Sequence, residues 1–367
     1  MTLVLALQLG SAAFVPNAVA QSLGCSSVPV AGGPEDVVIR WDEQRGGRLF
    51  ASVDPRDGSG GDGRLQQLLL DKESSASTLR LIDADGEPWS GATDFHPLGL
   101  AVVSEGGQEY LLVVNDGSVP GIERFLVNDD HLVHDRRWSS PLLTSPNGIA
   151  AISPSEFYVT NAALSHGFRR TLEWALGLPT GNVLHYRGDW QLVVDDLRFA
   201  NGITISPCDN RVYVAEFAAR RVLAFDRDPA TGRLEDVAAA GFTLPDHPDN
   251  LTWDSAGFLL IGAHVSVWRT FCHLQGICNQ APSRIYAATI PQAGSAAAAT
   301  IIELKASGDT RLRAATTAAR YRDRIFVGQL RQPAILNCAL RMPEDREVFV
   351  GREVTQQTTT ERCALNQ

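Results

Sequence analysis

The chain lacks the short motifs that mark most hydrolases and nucleotide enzymes. It has no Gly-x-Ser-x-Gly elbow, and no serine stands out as a nucleophile. The metalloprotease and phosphate-loop patterns are also missing. Basic charge is in deficit: 32 Lys and Arg against 42 Asp and Glu leave a net charge of −10. A protein built to neutralise nucleic-acid phosphates needs the opposite balance, so nucleic acid is excluded as a partner. No long stretch holds a convincing helical period. The one long uncharged run, Thr2 to Val19, is short for a membrane span and contains Pro16 and Asn17.

What is present describes an exported globular protein. With 44% hydrophobic and 20% charged residues, the 367-residue chain has ample apolar surface for a core. Residues 1–20 read as a signal peptide, with Ala18-Val19-Ala20 as the cleavage site, although no Lys or Arg precedes the apolar run. The expected location is therefore outside the cell or in a periplasm. Six cysteines in such a chain suggest disulfides, and counting leaves their pairing open. A bridge from Cys25 to Cys338 would clip the two ends together, and one from Cys272 to Cys278 would close a small loop. Cys208 and Cys363 are left over.

Short apolar runs broken by Gly, Pro, Asp and Asn recur throughout, and within them one unit repeats: turn, strand, turn, strand. Pro146-Asn147-Gly148-Ile149 opens one copy, Ala200-Asn201-Gly202-Ile203 the next, and Pro248-Asp249-Asn250-Leu251 a third. Looser copies begin at Glu35, Pro97 and Arg313. Six copies spaced roughly 50 to 65 residues apart predict an all-β, six-bladed propeller over residues 25–345, with 346–367 as a tail. Leu164 to Leu178 is the exception. Its apolar spacing predicts a short helix, either a lid over one mouth of the channel or a surface helix packed on the blades.

In a propeller the turn leading into each innermost strand points at the axis. The repeat puts Glu35, Asn147, Asn201, Asp249 and Asn250 at those turns, so five oxygen-bearing side chains from four blades converge. A hard cation such as calcium takes six to eight oxygen ligands, whereas zinc would recruit His or Cys. Asn-Gly and Asp-Asn also make good turns on their own account, but five in register favour a metal site.

The segments "GGPEDVVI", "SPNGIAAISPSEFYVTN", "FANGITISP", "RVYVAE" and "PDNLTWD" resemble the calcium-binding segments of the paraoxonase/arylesterase family, and the likeness runs from Cys25 to about Leu340. More distantly the chain is similar to gluconolactonases and strictosidine-synthase-like propellers. The resemblance implies a six-bladed propeller closed by a Cys25–Cys338 bridge, with Glu35, Asn147, Asn201, Asp249 and Asn250 as ligands of a catalytic Ca2+. It also implies that His264 stands at the active-site wall. Three positions depart from the family pattern. Leu98 and Asp116 occupy the places of a histidine dyad, and Gly148 stands where a second, structural calcium takes an acidic ligand beside Asp36 and the Leu100 carbonyl.

The function expected is metal-assisted hydrolysis of a small-molecule lactone or aryl ester, with Asp116, His264 or His96 taking a proton from water. Asp116 and His264 are the preferred catalytic candidates. Two rival readings come from other classes: a non-catalytic, calcium-stabilised ligand-binding propeller, and a strictosidine-synthase-like lyase. Apolar residues in the expected lid (Phe168, Leu172, Trp174) point to a lipophilic substrate. Asn250-Leu251-Thr252 matches a glycosylation acceptor, but an inward-facing ligand is not open to modification. Oligomeric state is not legible in the sequence.

Overall fold

A computed structural model of the chain describes residues 13–14, 24–42, 46–54, 62–72, 75–165, 167–291, 298–305 and 312–340. The expected signal peptide, apart from residues 13 and 14, and the expected tail 346–367 lie outside the described residues. Each repeat unit becomes a blade, because alternating apolar and polar residues flanked by turn formers favour antiparallel strands with two packed faces.

Six sheets result, each read from its inner strand outward. Blade 1 begins at Gly33–Asp42, blade 2 at Pro97–Glu105 and blade 3 at Pro146–Ser153. Blade 4 begins at Ala200–Ile205, blade 5 at His247–Trp253 and blade 6 at Ala315–Tyr321. Each inner strand touches the inner strands of both neighbouring blades, so the six close into a ring. Blade 6 is composite: its outermost strand is Cys25–Pro29, paired antiparallel to Ala334–Ala339 from the other end of the described chain. Cys25 faces Cys338 in that register, and the two form a disulfide. Ala13 and Phe14 add a short parallel strand beside Thr300 and Ile301 at the edge of blade 5.

The apolar core lies between blades. Six main clusters each fill the wedge between two neighbours; between blades 2 and 3, for instance, Leu112, Val114, Ile122 and Trp138 meet Ile149, Phe157 and Val159. Truncating one fully buried ring there, such as Phe157→Ala, costs about 3–5 kcal/mol.

Glycine sets how tightly the ring closes. A Cβ on Gly99 would lie 2.6 Å from the Asn147 carbonyl oxygen, on Gly148 2.8 Å from that of Asn201, and on Gly202 2.6 Å from that of Asp249. Each glycine thus lets one inner strand lie directly on the backbone of the next.

Two helices interrupt the strands. Helix α1, Gly167–Leu176, realises the helix expected in Leu164–Leu178 and ends at Gly177, whose φ of +58° suits a helix stop. Helix α2, Val267–Leu274, was not anticipated, because only the Cys272–Cys278 loop marked the region. It starts on Ser266, whose side chain accepts from the Arg269 amide, and the Cys272–Cys278 bridge staples its far end. Cys208 is also disulfide-bonded, and the remaining cysteine, Cys363, lies outside the described residues. Both helices follow the second strand of their blades, Glu156–Asn161 and Phe258–His264. A second strand runs antiparallel to the first, so both helices stand at the end of the ring where the inner strands begin.

Candidate functional site

All six inner strands break register with their partners as they enter the ring. The irregularities fall at Pro34/Asp36, Pro97/Leu100, Pro146/Ile149, Ala200/Ile203, Pro248/Leu251 and Ala315/Thr317. Such bulges re-aim side chains that a regular strand would send to alternate faces. The residues inside four of them are Glu35, Asn147, Asn201 and the pair Asp249-Asn250, the five expected donors.

Backbone contacts link these donors around the axis. The glycine steps seat Gly148 against Asn201 and Gly202 against Asp249 and Asn250, while Asn250 Nδ2 donates to the Glu35 carbonyl at 3.1 Å. Glu35, Asn201, Asp249 and Asn250 are buried and Asn147 is half-buried. Asn201 Oδ1 and Asp249 Oδ1 have no hydrogen-bond partner. A buried polar oxygen left unpaired is costly, so two in one cluster of oxygen donors fit an external ligand. The chemistry of the set matches a hard cation: carboxylate and amide oxygens throughout. Among the described residues, no three His, Cys, Asp or Glu side chains converge as a transition-metal site would require.

The remaining two blades contribute no charged donor. Leu98 fills the bulge of blade 2 and packs into the core with Trp138, Leu143 and Ile149. Blade 6 places Thr316 there, with its hydroxyl 3.4 Å from the Pro34 carbonyl.

Asp36, the carboxylate expected at a second ion, is bound by backbone. Asp36 Oδ2 accepts from the Leu100 amide at 2.9 Å and Oδ1 from the Val37 amide at 2.9 Å, so both oxygens are taken by backbone. Burial pushes the Asp36 carboxyl up to about 6. Gly148 offers no side-chain oxygen, and its Cα is pressed against the neighbouring blade.

The two candidate proton acceptors are both engaged. His264 is buried, with Nε2 2.6 Å from Asp249 Oδ2 and Nδ1 3.2 Å from the Thr270 hydroxyl in α2. Asp116 follows the second strand of blade 2 and accepts from Arg170 Nη1 of α1 at 2.8 Å. That pairing has no signal in the spacing of the sequence, since the two residues lie 54 positions apart. His96, the third candidate, is 38% exposed at the same end, with Nδ1 3.5 Å from Asp54 Oδ1.

Helix α1 is held over the mouth by more than this ion pair. Trp174 stacks on Phe199 at 4.8 Å, Phe199 on Phe217 at 4.7 Å, and Phe217 lies 5.8 Å from His264. An aromatic wall therefore runs from α1 to the donor cluster. Phe199 has φ of +62°, a backbone setting that a bulky residue adopts only under constraint. It directly precedes Ala200-Asn201, so one strained residue places both a wall ring and a donor.

The sequence profile of a family described as Arylesterase matches residues 61–340. Serum paraoxonase/arylesterase 1 of Mus musculus is 34% identical over 215 residues, 56% of this chain and 58% of that protein. The Homo sapiens protein of the same name is 26% identical over 291 residues, covering 73% of this chain and 75% of that one. The chain thus spans little more than half the length of several curated relatives it matches, 52% for serum paraoxonase/arylesterase 2 of Canis lupus familiaris. Among solved structures, a gluconolactonase from Xanthomonas campestris superposes with a TM-score of 0.51 at 15% identity, over 88% of this chain and 99% of that one. Regucalcin from Agrobacterium tumefaciens does so with a TM-score of 0.50 at 14% identity, over 86% and 95%. These superpositions speak for the propeller fold alone; the family match takes in most of the 367 residues, and on it the chain belongs to the arylesterase family.

Proposed function

We propose that the protein is a calcium-dependent hydrolase of lactones or aryl esters, acting at the mouth beneath α1. The observation that carries this reading is the pair of unpartnered buried oxygens, Asn201 Oδ1 and Asp249 Oδ1, within five converging oxygen side chains. Glu35, Asn147, Asn201, Asp249 and Asn250 would hold the ion. When bound, calcium supplies Lewis-acid polarisation of an ester carbonyl and a positive charge facing the developing oxyanion.

The protein's own groups supply the rest. The wall of Trp174, Phe199 and Phe217 gives an apolar acyl or aryl group a surface to lie on and excludes water from one side. Arg170 holds α1 to Asp116 and so sets how far the mouth opens. A water attacking the carbonyl must lose a proton. Asp116 accepts it once the Arg170 contact loosens, and His96, the more exposed imidazole, is the alternative acceptor. Membership of a family whose named relatives include paraoxonases and arylesterases supports ester hydrolysis over the lyase reading. The disulfides favour an exported protein, outside the cell or in a periplasm.

The test is turnover of a lactone panel and phenyl acetate by the protein with calcium, with chelator, and after calcium is restored. Activity lost with chelator and recovered with calcium is expected. Calcium binding without turnover of any substrate would favour the non-catalytic binding propeller instead.

A further inference from the structure

We infer that His264 is a positioning residue for Asp249, and that α2, through Thr270, is part of the same device. The inference rests on the calcium reading above and concerns how one ligand is held.

All six blades share one position. The last residue of each second strand lies opposite the first residue of the inner strand: Asp54 opposite Gly33, Asn115 opposite Pro97, Asn161 opposite Pro146, Glu216 opposite Ala200, His264 opposite His247 and Gln329 opposite Ala315. All six are polar, and all are buried. In four blades the side-chain oxygen accepts a backbone amide from the segment leading into the inner strand. Asn115 Oδ1 takes His96 N at 2.9 Å, Asn161 Oδ1 takes Thr144 N at 3.1 Å and Ser145 N at 3.2 Å, Glu216 Oε1 takes Arg198 N at 2.8 Å, and Gln329 Oε1 takes Arg313 N at 2.8 Å. The place is a turn clamp, and what it asks for is a planar oxygen.

Blade 5 puts an imidazole there instead. Its two nitrogens face the Asp249 carboxylate and the Thr270 hydroxyl. A threonine hydroxyl donating to Nδ1 keeps the ring proton on Nε2, where it donates to Asp249 Oδ2. The result is a buried carboxylate with one oxygen bound and the other, Oδ1, without a partner and aimed by the first. Outer-shell hydrogen bonds of this kind orient a metal ligand, and losing one costs about 10- to 100-fold in affinity. Thr270 belongs to α2, a helix tied to blade 6 by Arg331 Nη1 donating to the Leu274 carbonyl and braced at its far end by the Cys272–Cys278 bridge. The relay from helix to imidazole to carboxylate therefore has a fixed anchor.

The fold itself names the informative substitution. Glutamine stands at this position in blade 6, so H264Q offers the blade a residue type it already accepts there. Expected for H264Q is calcium affinity weakened about 10- to 100-fold by titration calorimetry on chelator-stripped protein, with the calcium-free melting temperature near that of the wild type. T270V, which keeps the volume and removes the hydroxyl, should weaken calcium binding several-fold and leave the calcium-free melt unchanged. H264Q that binds calcium as the wild type does would overturn the inference, whether or not its calcium-free form melts lower. Unchanged affinity in T270V would remove α2 from the device, and it remains measurable if H264Q does not fold. Wild-type protein that binds no calcium would defeat the calcium reading itself, a separate and recognisable outcome.

Discussion

Replacing Cys25 and Cys338 by alanine cuts the covalent tie across the composite blade, and the size of the effect follows from the chain. The bridge spans a sequence separation of 313 residues. In the chain-entropy treatment, closing a loop of that length removes about 19 cal/mol/K from the unfolded ensemble, or roughly 5–6 kcal/mol at 25 °C. A domain of this size shifts its midpoint by roughly 2 °C per kcal/mol, so C25A/C338A should melt about 10 °C below the wild type. The donors sit on inner strands, whereas the bridge joins the two outermost strands of blade 6. Turnover at 25 °C with saturating calcium should therefore stay within about twofold of the wild type. Thermal melts followed by circular dichroism, paired with initial rates, read both quantities. A melt within about 2 °C of the wild type would refute the reasoning, because it would mean that pairing of Cys25–Pro29 alone holds the ring closed.

Metal analysis of protein equilibrated with calcium should return one ion per chain, since the amides of Val37 and Leu100 occupy both oxygens of Asp36; two ions would show that Asp36 gives up those bonds. D249N, which keeps the shape of a ligand and removes its charge, should lower calcium affinity by at least about tenfold, and unaltered affinity would take Asp249 out of the site. R170A frees α1 from Asp116, and the expected result is a several-fold rise in KM for bulky aryl esters with little change for phenyl acetate; equal effects on both would count against a lid. Burial holds the His185 imidazole below its ordinary pKa. Its contribution to stability is complete above about pH 6.5 and is lost as pH falls, because the unfolded chain takes up a proton that the folded one refuses. H185Q should flatten the fall in stability as pH drops below about 6.5, and parallel curves for the two proteins would refute this.

The blades were legible because their signal is local. Pro-Asn-Gly and Asp-Asn at the head of an apolar run mark a turn and a strand together, and the run repeats. The bulged positions were legible for the same reason, since Asn147 and Asn201 lie where Asn-Gly permits a bulge. What stayed hidden depends on contacts between distant segments. No spacing tells that Arg170 reaches Asp116, that Thr270 meets His264, or that Phe199 is strained against Trp174. Helix α2 has little signal in the sequence because its eight residues give only about two turns of periodicity, and Cys272, inside it, pairs with Cys278 beyond its end as a small loop would. His264 looked like a free wall residue until the same position could be compared across six blades.

The connection between the second and third strands opens at one end of the ring, and among the described residues two blades make most of it. Blades 3 and 5 carry α1 and α2 there, whereas Asn115 to Gly121, Glu216 to Arg221 and Gln329 to Ala334 are spanned by a few residues each. Those links already carry working parts: Asp116 in the first, Phe217 in the second and Arg331 in the third. A change of residue or length there would alter the mouth without entering a bulge, a glycine step or an interblade wedge. The mouth can thus diverge quickly while the ring of bulges stays the same, because the two are written in different parts of each repeat.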